Sequence, residues 1–268
     1  MRSFEELVAH IDQSGIDNDA AKDIVKLKPD ISQQEALAVQ LAVKRRREVN
    51  GDRIIGHQAS FVSSGARTMF PNAPRPMVGT LLASLTRESG DVVELDAETV
   101  FVECEIALLL KKDLEGPALT ATEILGAIDG FFPAFELGPM RAAARDFSWP
   151  HIIAVQKAFG GFIIFGSKMI SPKNFDPRLE GCLLSVDGEA RVGATGFESM
   201  GNPLFAVAGV ARGLHAIGEK LKAGQVVMTG NIIPPLSIGP ENGHALLEFQ
   251  TLGSVGVRFK HLTAPTGR

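Results

Sequence analysis

The hydrophobic pattern of the chain changes at Gly51, and this change limits the folds that the chain can adopt. Before Gly51, apolar residues recur at helical spacing, and Ser32 with Glu35 forms the signature of a helix capping box. After Gly51, short apolar runs alternate with turn signals, and the Asp-Gly step of SVDGEA, residues 185–190, is typical of a β-hairpin. We therefore predict an α+β fold, with a helical segment over residues 1–50 followed by a β-dominated domain over residues 51–268.

Two helical stretches are expected inside the β-rich part of the chain. One lies near TATEILGAIDGFFPAFE, residues 120–136, and the other near PLFAVAGVARGLHAIGEKL, residues 203–221. The KAG step at 222–224 reads as a glycine stop for the second helix.

Composition excludes several classes of protein and partner. With 268 residues, 45% of them hydrophobic and 22% charged, the chain is long enough to bury a substantial core. A net charge of −4 argues against a nucleic-acid partner, and the basic run at 44–48 is interpreted as a solvent-facing helix surface. Cys104 and Cys182 have no metal-ligand spacing and are expected to be reduced core thiols. Since no signal peptide or membrane-length apolar window is visible, we expect a cytoplasmic protein without a membrane partner.

The stretch FVECEIALLL, residues 101–110, places two carboxylates two positions apart in a predicted strand. Residues i and i+2 of a strand point to one face, so Glu103 and Glu105 would lie side by side, with Cys104 and Ile106 opposite. Like charges in this arrangement are unfavourable unless a cation lies between them. An exposed polar face of a one-sided sheet is the alternative explanation.

Glu136 favours the metal interpretation, because it lies in the apolar segment GFFPAFELG. An ionised carboxylate in apolar surroundings is costly unless it is paired or bound to a metal. Mg²⁺ and Mn²⁺ take oxygen ligands, typically carboxylates and waters. The sequence thus offers Glu103, Glu105 and Glu136 as candidate ligands.

Several segments together resemble the hydratase/decarboxylase branch of the fumarylacetoacetate hydrolase superfamily. They fall in order from about residue 31 to residue 260 and include ISQQEALAVQ, DRIIGH, VFVECEIALLLKKDLEGPALTATEILGAIDGFFPAFEL, GGFIIFG, MGNPLFAVAGVARGL, GEKLKAGQVVMTGN and LGSVGVRFK.

This resemblance implies a mixed β-roll and a metal-dependent enzyme. The implied cofactor is Mg²⁺ or Mn²⁺, held by residues that match Glu103, Glu105 and Glu136. The implied substrate is a small 2-keto or 2-hydroxydienoic acid, whose enolate form the metal stabilises. The loop Thr229–Gly230–Asn231 matches one that helps hold the substrate carboxylate in relatives, although a plain strand-end turn is an equal alternative. Relatives are commonly homo-oligomers, so a homo-oligomer is expected.

The chain departs from the family pattern at polar positions around the expected cavity. Gln58 replaces the lysine that is thought to handle protons in relatives, and an amide cannot transfer a proton at neutral pH. Met77 replaces an aspartate, and Val155 with Gln156 replaces an Asp-Asn pair. A more apolar cavity is expected, and Met77 and Phe159 support this expectation.

Lys157, His57 and Arg141 are the further candidates for catalysis, beside the substituted position Gln58. Lys157 could replace the missing lysine from another wall of the cavity, or be a surface lysine. Histidine is suited to proton transfer near neutrality, although structural packing is the more probable role of His57. Arg141 could pair with a carboxylate of the substrate or the protein.

His151 and Glu198 are weaker candidates for proton transfer. His151 could line the pocket, but an exposed loop histidine is the favoured interpretation. Glu198 stands where relatives tend to be apolar and is a possible base.

Two classes of function remain open from the sequence. The first is a metal-dependent lyase of hydratase, decarboxylase or tautomerase type, and the loss of the family lysine favours the latter two because they need less activation of water. The second is a non-catalytic or partner subunit that keeps the fold. The retention of all three glutamates favours the enzyme.

Overall fold

The computed structural model describes residues 3–15, 18–95, 100–139, 148–159, 161–234 and 236–262. The N-terminal segment forms three helices, α1 (Phe4–Ser14), α2 (Asn18–Leu27) and α3 (Gln33–Val49). The expected capping box begins α3, since Glu35 N donates to Ser32 Oγ and Ser32 N donates to the Glu35 carboxylate at 2.9 Å. Among the described residues, every helix is too short or too polar to span a lipid bilayer.

An eight-stranded mixed sheet forms the larger β-layer. Its strands in spatial order are β2 (Met77–Leu82), β1 (Ile54–Ser60), β10 (Val226–Met228), β5 (Val100–Leu110), β6 (Ile128–Pro139), β7 (Phe162–Phe165) and β3 (Thr86–Glu88), and β11 (Leu236–Ile238) pairs with β5 outside this path. The edge strands β2 and β3 are joined by only the short turn at 83–85. Because so short a turn spans only a small distance, the end of β2 and the start of β3 lie close together. The sheet therefore curls so that its two edges approach each other.

A five-stranded sheet packs beside the first. In spatial order it contains β4 (Val92–Leu95), β13 (Gly253–His261), β12 (His244–Phe249), β8 (Gly181–Val186) and β9 (Glu189–Thr195). The hairpin expected from SVDGEA joins β8 to β9, and its turn residues Asp187 and Gly188 have φ angles of 52° and 82°. Together the helices and curled sheets make a mixed β-roll with helices at its N-terminus, as predicted.

Four further helices follow Gly51 in the described part of the chain; α5 and α7 are shorter than predicted, and α4 and α6 were not predicted. They are α4 (Ser64–Met69), α5 (Ala121–Ala127), α6 (Trp149–Phe159) and α7 (Pro203–His215). The predicted helix over 120–136 is wrong beyond Ala127, because the chain there enters the buried strand β6. The second predicted helix ends at His215, and the KAG step lies in the turn before β10 instead.

The main core is formed by the helices, one face of the curled sheet and the five-stranded sheet. Both cysteines are free and buried, as expected, and Cys104 with Ile106 faces this core. The opposite face of the sheet carries a second apolar cluster of Leu81, Ala107, Phe132, Ala134, Ile163 and Met228. Glu103 and Glu105 share the parity of Ala107 along β5, so this inner face continues into the carboxylates.

Lys44 departs from the predicted solvent-facing surface of α3. Residues 45, 46 and 48 are exposed, but Lys44 is fully buried because its face of α3 packs against α6 and β2. The basic run is therefore a solvated surface only in part.

Candidate metal centre

Three carboxylates meet on the inner face of the curled sheet. Glu103 on β5 lies directly opposite Glu136 on the antiparallel strand β6, and Glu105 follows Glu103 on the same face. One oxygen from each of the three carboxylates lies within 4.8 Å of the others. The early end of α5 creates this register, since the whole of β6 can then pair with β5.

The carboxylate cluster has unbalanced negative charge and a buried oxygen without a partner. Glu105 Oε2 accepts from Gly230 N at 2.7 Å, but no hydrogen-bond donor among the described residues reaches Glu105 Oε1. Burial raises the pKa of Glu103 to about 7, with repulsion from Glu136 adding to it. Burial and the same kind of repulsion, from Glu136 and Glu103, also raise the pKa of Glu105. A set of buried oxygen donors that repel each other fits a hard divalent cation.

Gln58 and Lys157 reach the cluster from two other elements. Gln58 on β1 donates through Nε2 to both carboxylate oxygens of Glu136, at 3.1 Å each. Lys157 on α6 places Nζ 3.6 Å from Glu136 Oε1, and its side chain is largely buried. The structure thus brings five predicted site residues together: Glu103, Glu105, Glu136, Gln58 and Lys157.

The loop that contains Thr229, Gly230 and Asn231 uses its polar groups mainly within the protein. Thr229 is buried and donates its hydroxyl to Ile106 O at 2.7 Å, and Gly230 N donates to Glu105. Asn231 Oδ1 accepts from Cys104 N and from the backbone N–H two residues further on, both at 3.1 Å. In this arrangement the loop fixes the position of Glu105 on β5, and the Thr229 hydroxyl is bonded to the backbone of β5.

His57 lies outside the carboxylate cluster. Its neighbour Gln58 points into the cluster, so the alternation of β1 directs His57 away from it. The ring lines a separate cavity of about 540 Å³, and its Nδ1 lies 3.3 Å from Thr80 Oγ1. Burial, with the nearby positive charges of Lys222 and Arg45, lowers its pKa to about 3. This placement separates the His57 ring from the carboxylates.

Two other candidates for proton transfer have structural partners. His151 is buried rather than exposed, and its ring nitrogens lie 2.6 Å from Ser148 Oγ and 3.0 Å from Lys28 O. Glu198 accepts from the Ser64 backbone N–H at 3.2 Å and from the Ser64 hydroxyl, at the start of α4. Neither residue is part of the carboxylate cluster.

The remaining positions named from the sequence are Met77, Val155, Arg141, Gln156 and Phe159. Met77 is fully buried on β2, and Val155 is buried on α6. Arg141 lies outside the described residues, as do the side chains of Gln156 and Phe159.

Gly79 lies against Gln58, and the sequence pattern did not indicate this position. It pairs with Gln58 across β1 and β2, and a Cβ at Gly79 would lie 2.8 Å from Gln58 Cγ. Only a residue without a side chain leaves room for the amide to reach Glu136. The pairing of Gly79 with Gln58 depends on strand register, so no local sequence signal identifies it.

Comparisons with known proteins show which proteins this chain is similar to. No protein-family model matches the chain. The chain is 31% identical over 209 residues to a 2-hydroxyhexa-2,4-dienoate hydratase of Comamonas testosteroni, covering 77% of this chain and 78% of the relative. It is 27% identical over 255 residues to a 4-oxalocrotonate decarboxylase of Pseudomonas putida, covering 94% and 95% respectively.

The chain belongs to the hydratase/decarboxylase branch of the fumarylacetoacetate hydrolase superfamily. The structure of a 4-oxalocrotonate decarboxylase from Pseudomonas putida G7, complexed with magnesium and adipate, superposes with a TM-score of 0.86 at 26% identity. That superposition covers 97% of this chain and 99% of the other. A fumarylacetoacetate hydrolase from Exiguobacterium antarcticum shares the fold, with a TM-score of 0.59 at 19% identity over 78% of this chain and 76% of the other. The chain is accordingly an enzyme of the lyase class, as the sequence predicted.

Proposed function

We propose that the protein is a divalent-metal-dependent lyase that acts on a small 2-keto or 2-hydroxydienoic acid through a stabilised enolate. The observation that carries this proposal is the cluster of Glu103, Glu105 and Glu136, in which Glu105 Oε1 is buried and has no hydrogen-bond donor among the described residues. The similarity to a decarboxylase complexed with magnesium supports Mg²⁺ as the cation, and Mn²⁺ satisfies the same oxygen donors.

The three glutamates would hold the cation, each through one carboxylate oxygen. When bound, the cation supplies Lewis-acid stabilisation for negative charge that develops on the 2-oxygen of the substrate. The Gly230 N–H holds Glu105 from the other side, and Gln58 holds Glu136, so two of the three carboxylates are oriented before a ligand arrives.

Lys157 is the proposed proton donor. Its ammonium lies beside Glu136, whereas the amide of Gln58 has no proton to transfer at neutral pH. In a decarboxylation, the bond to the departing carboxylate breaks, its electron pair enters the enolate, and the Lys157 Nζ proton is delivered to carbon. In a tautomerisation, the Lys157 Nζ in its amine form would take a proton from one carbon and then return it to another. Both routes avoid the activation of water that hydration needs, which favours them here.

Asn231 is the proposed contact for the substrate carboxylate in the loop at 229–231. Two backbone N–H groups fix its Oδ1, which leaves the Nδ2 donors for a ligand. We extend the proposal to a cytoplasmic homo-oligomer, and light scattering of the purified protein tests the assembly.

A metal-dependence assay tests the proposed function. The protein is stripped with chelator, Mg²⁺ or Mn²⁺ is added back, and 2-hydroxypenta-2,4-dienoate and 4-oxalocrotonate are followed by ultraviolet absorbance. Metal-dependent loss of either chromophore is expected, with a larger effect on 4-oxalocrotonate. Calorimetry is expected to show weaker Mg²⁺ binding by Glu105→Gln, by about a hundredfold or more, because a charged ligand is replaced by a neutral amide.

Two results would contradict the proposal in different ways. Unchanged metal affinity in Glu105→Gln would refute the ligand assignment. Confirmed metal binding without turnover of either compound would favour a non-catalytic subunit that keeps the fold. Glu248→Gln, at an exposed position on β12, is the matched control and is expected to alter neither measurement.

A further inference from the structure

Lys44 is a buried cationic side chain that the proposed reaction does not use. It is fully buried on α3, and no hydrogen-bond partner among the described residues reaches its Nζ. Burying an ammonium group without a partner costs free energy. A lysine at the next position of the helix, which is exposed, would avoid that cost. Burial, followed by repulsion from Arg47 and Lys157, lowers the pKa of Lys44 to about 7. Near neutral pH this side chain can therefore gain or lose its proton.

The surroundings of Lys44 connect it to the carboxylate cluster. One turn earlier on α3, Gln40 donates to Val78 O on β2 at 3.1 Å and to Ile153 O on α6 at 3.3 Å, which locks this face of the helix. Lys157 is one turn beyond Ile153 on α6. Lys44 follows Gln40 by one turn on α3, and α3 packs against α6, the helix that carries the proposed proton donor.

The charged groups that act on Lys44 come from four elements. They are Arg47 on its own helix, Lys157 on α6, Asp52 in the turn before β1, and Glu136 on β6. Arg47 and Lys157 oppose the protonated form, while Asp52 and Glu136 favour it. Lys157 and Glu136 belong to the candidate site, so a change of charge in that site acts on Lys44.

With a metal and a dianionic ligand bound, the formal charges of the site would sum to two negative charges. Three carboxylates, a divalent cation and the Lys157 ammonium sum to zero net charge. A ligand that carries a carboxylate and an enolate oxygen adds two negative charges, and none of these groups compensates them. Negative charge in a medium of low dielectric constant raises the proton affinity of a nearby amine.

We infer that Lys44 is a positioning residue for the same site, which takes up a proton from solvent when a dianionic ligand binds beside the metal. The lone pair of Nζ accepts the proton, and no bond of the ligand is broken. The resulting ammonium stabilises the negative charge of the ligand by electrostatic attraction at a distance. It does not contact the reacting atoms. This inference rests on the proposed function.

Calorimetry with oxalate tests the inference. Oxalate is a dianion that presents two adjacent oxygens to a metal and does not react. It is titrated into the full-length protein saturated with Mg²⁺ at pH 8, in Tris and in HEPES, whose ionisation enthalpies differ. Between about half and one proton is expected to be taken up per oxalate bound, and the Kd is expected to rise about fivefold from pH 7 to pH 8.5.

Two variants separate charge compensation from a structural role. Lys44→Met keeps the length of the side chain and is expected to abolish both proton uptake and the pH dependence of the Kd. Lys44→Arg, whose guanidinium stays charged, is expected to bind oxalate without proton uptake, and it serves if the methionine variant does not fold. Lys26→Met, at an exposed position on α2, is the matched control and should behave as the unaltered protein.

The outcomes distinguish this inference from the proposed function. Oxalate binding that needs Mg²⁺ but takes up no proton would overturn the role of Lys44 and leave the proposed function intact. Undiminished uptake in both Lys44 variants would do the same. Absence of any Mg²⁺-dependent oxalate binding would overturn the proposed function and, with it, this inference.

Discussion

Replacement of Glu103 by glutamine should stabilise the metal-free protein above neutral pH. The carboxyl of Glu103 lies opposite Glu136 and beside Glu105, and burial with repulsion raises its pKa from 4.5 to about 7. Because the folded pKa lies above the unfolded value, the folded protein binds more protons between pH 4.5 and 7. This carboxyl therefore lowers stability as pH rises through that window, and its effect is constant above it.

The size of the effect follows from the same pKa difference. A change from 4.5 to about 7 corresponds to about 3 kcal/mol in the free energy of unfolding. Glutamine keeps the shape of the protonated carboxyl and cannot ionise. The variant is expected to match the unaltered protein near pH 4.5 and to exceed its stability by about 3 kcal/mol at pH 8.

Urea unfolding in the presence of chelator, at several pH values from 4.5 to 8, measures this difference. Comparing the two proteins at each pH cancels titrations that both share, such as that of His57. Saturating Mg²⁺ should reverse the order at pH 8, because ligand binding to the folded state stabilises the protein with the complete carboxylate set more strongly. A difference that does not change with pH, or a variant that is less stable at pH 8, would refute the electrostatic account of the cluster.

Three further substitutions examine the surroundings of the cluster. Gln58→Lys is expected to raise residual dienoate hydratase activity, followed by ultraviolet absorbance, and no gain would mean that the pocket differs as well as the proton donor. Gly79→Ala should reduce turnover about tenfold, because its Cβ would lie 2.8 Å from Gln58 Cγ, whereas Gly126→Ala, with open space around it, should leave turnover unchanged and stabilise α5 by up to about 1 kcal/mol. His57→Gln should change kcat less than twofold. The buried His57 is neutral in the folded protein, so it lowers the free energy of unfolding as pH falls from 6.5 towards 3. Acid unfolding of the variant should not show this decrease.

The alternation of FVECEIALLL was sufficient to predict which side chains share a face of β5. Period-two patterning is local, so Glu103 and Glu105 could be assigned to one side, with Cys104 and Ile106 on the other. The pairing of Glu136 with Glu103 could not be predicted in this way, because residues 120–136 were predicted as helix. The helix ends at Ala127 because the following residues are buried on both faces as a central strand, where tertiary packing overrides local propensity.

Contacts between distant elements account for what the sequence did not reveal. The burial of Lys44 depends on how α3 packs against α6 and β2, and its own segment resembles any basic helix surface. The same packing provides a physical reason for an amide rather than an ammonium at position 58. A second ammonium beside Glu136 would compete with Lys157 and with the cation, whereas the amide orients Glu136 without adding charge. Lys157, beside the carboxylates, lies on α6, and the buried Lys44 lies on α3, which packs against α6. Gln58→Lys combined with Lys157→Met should therefore bind metal better than Gln58→Lys alone.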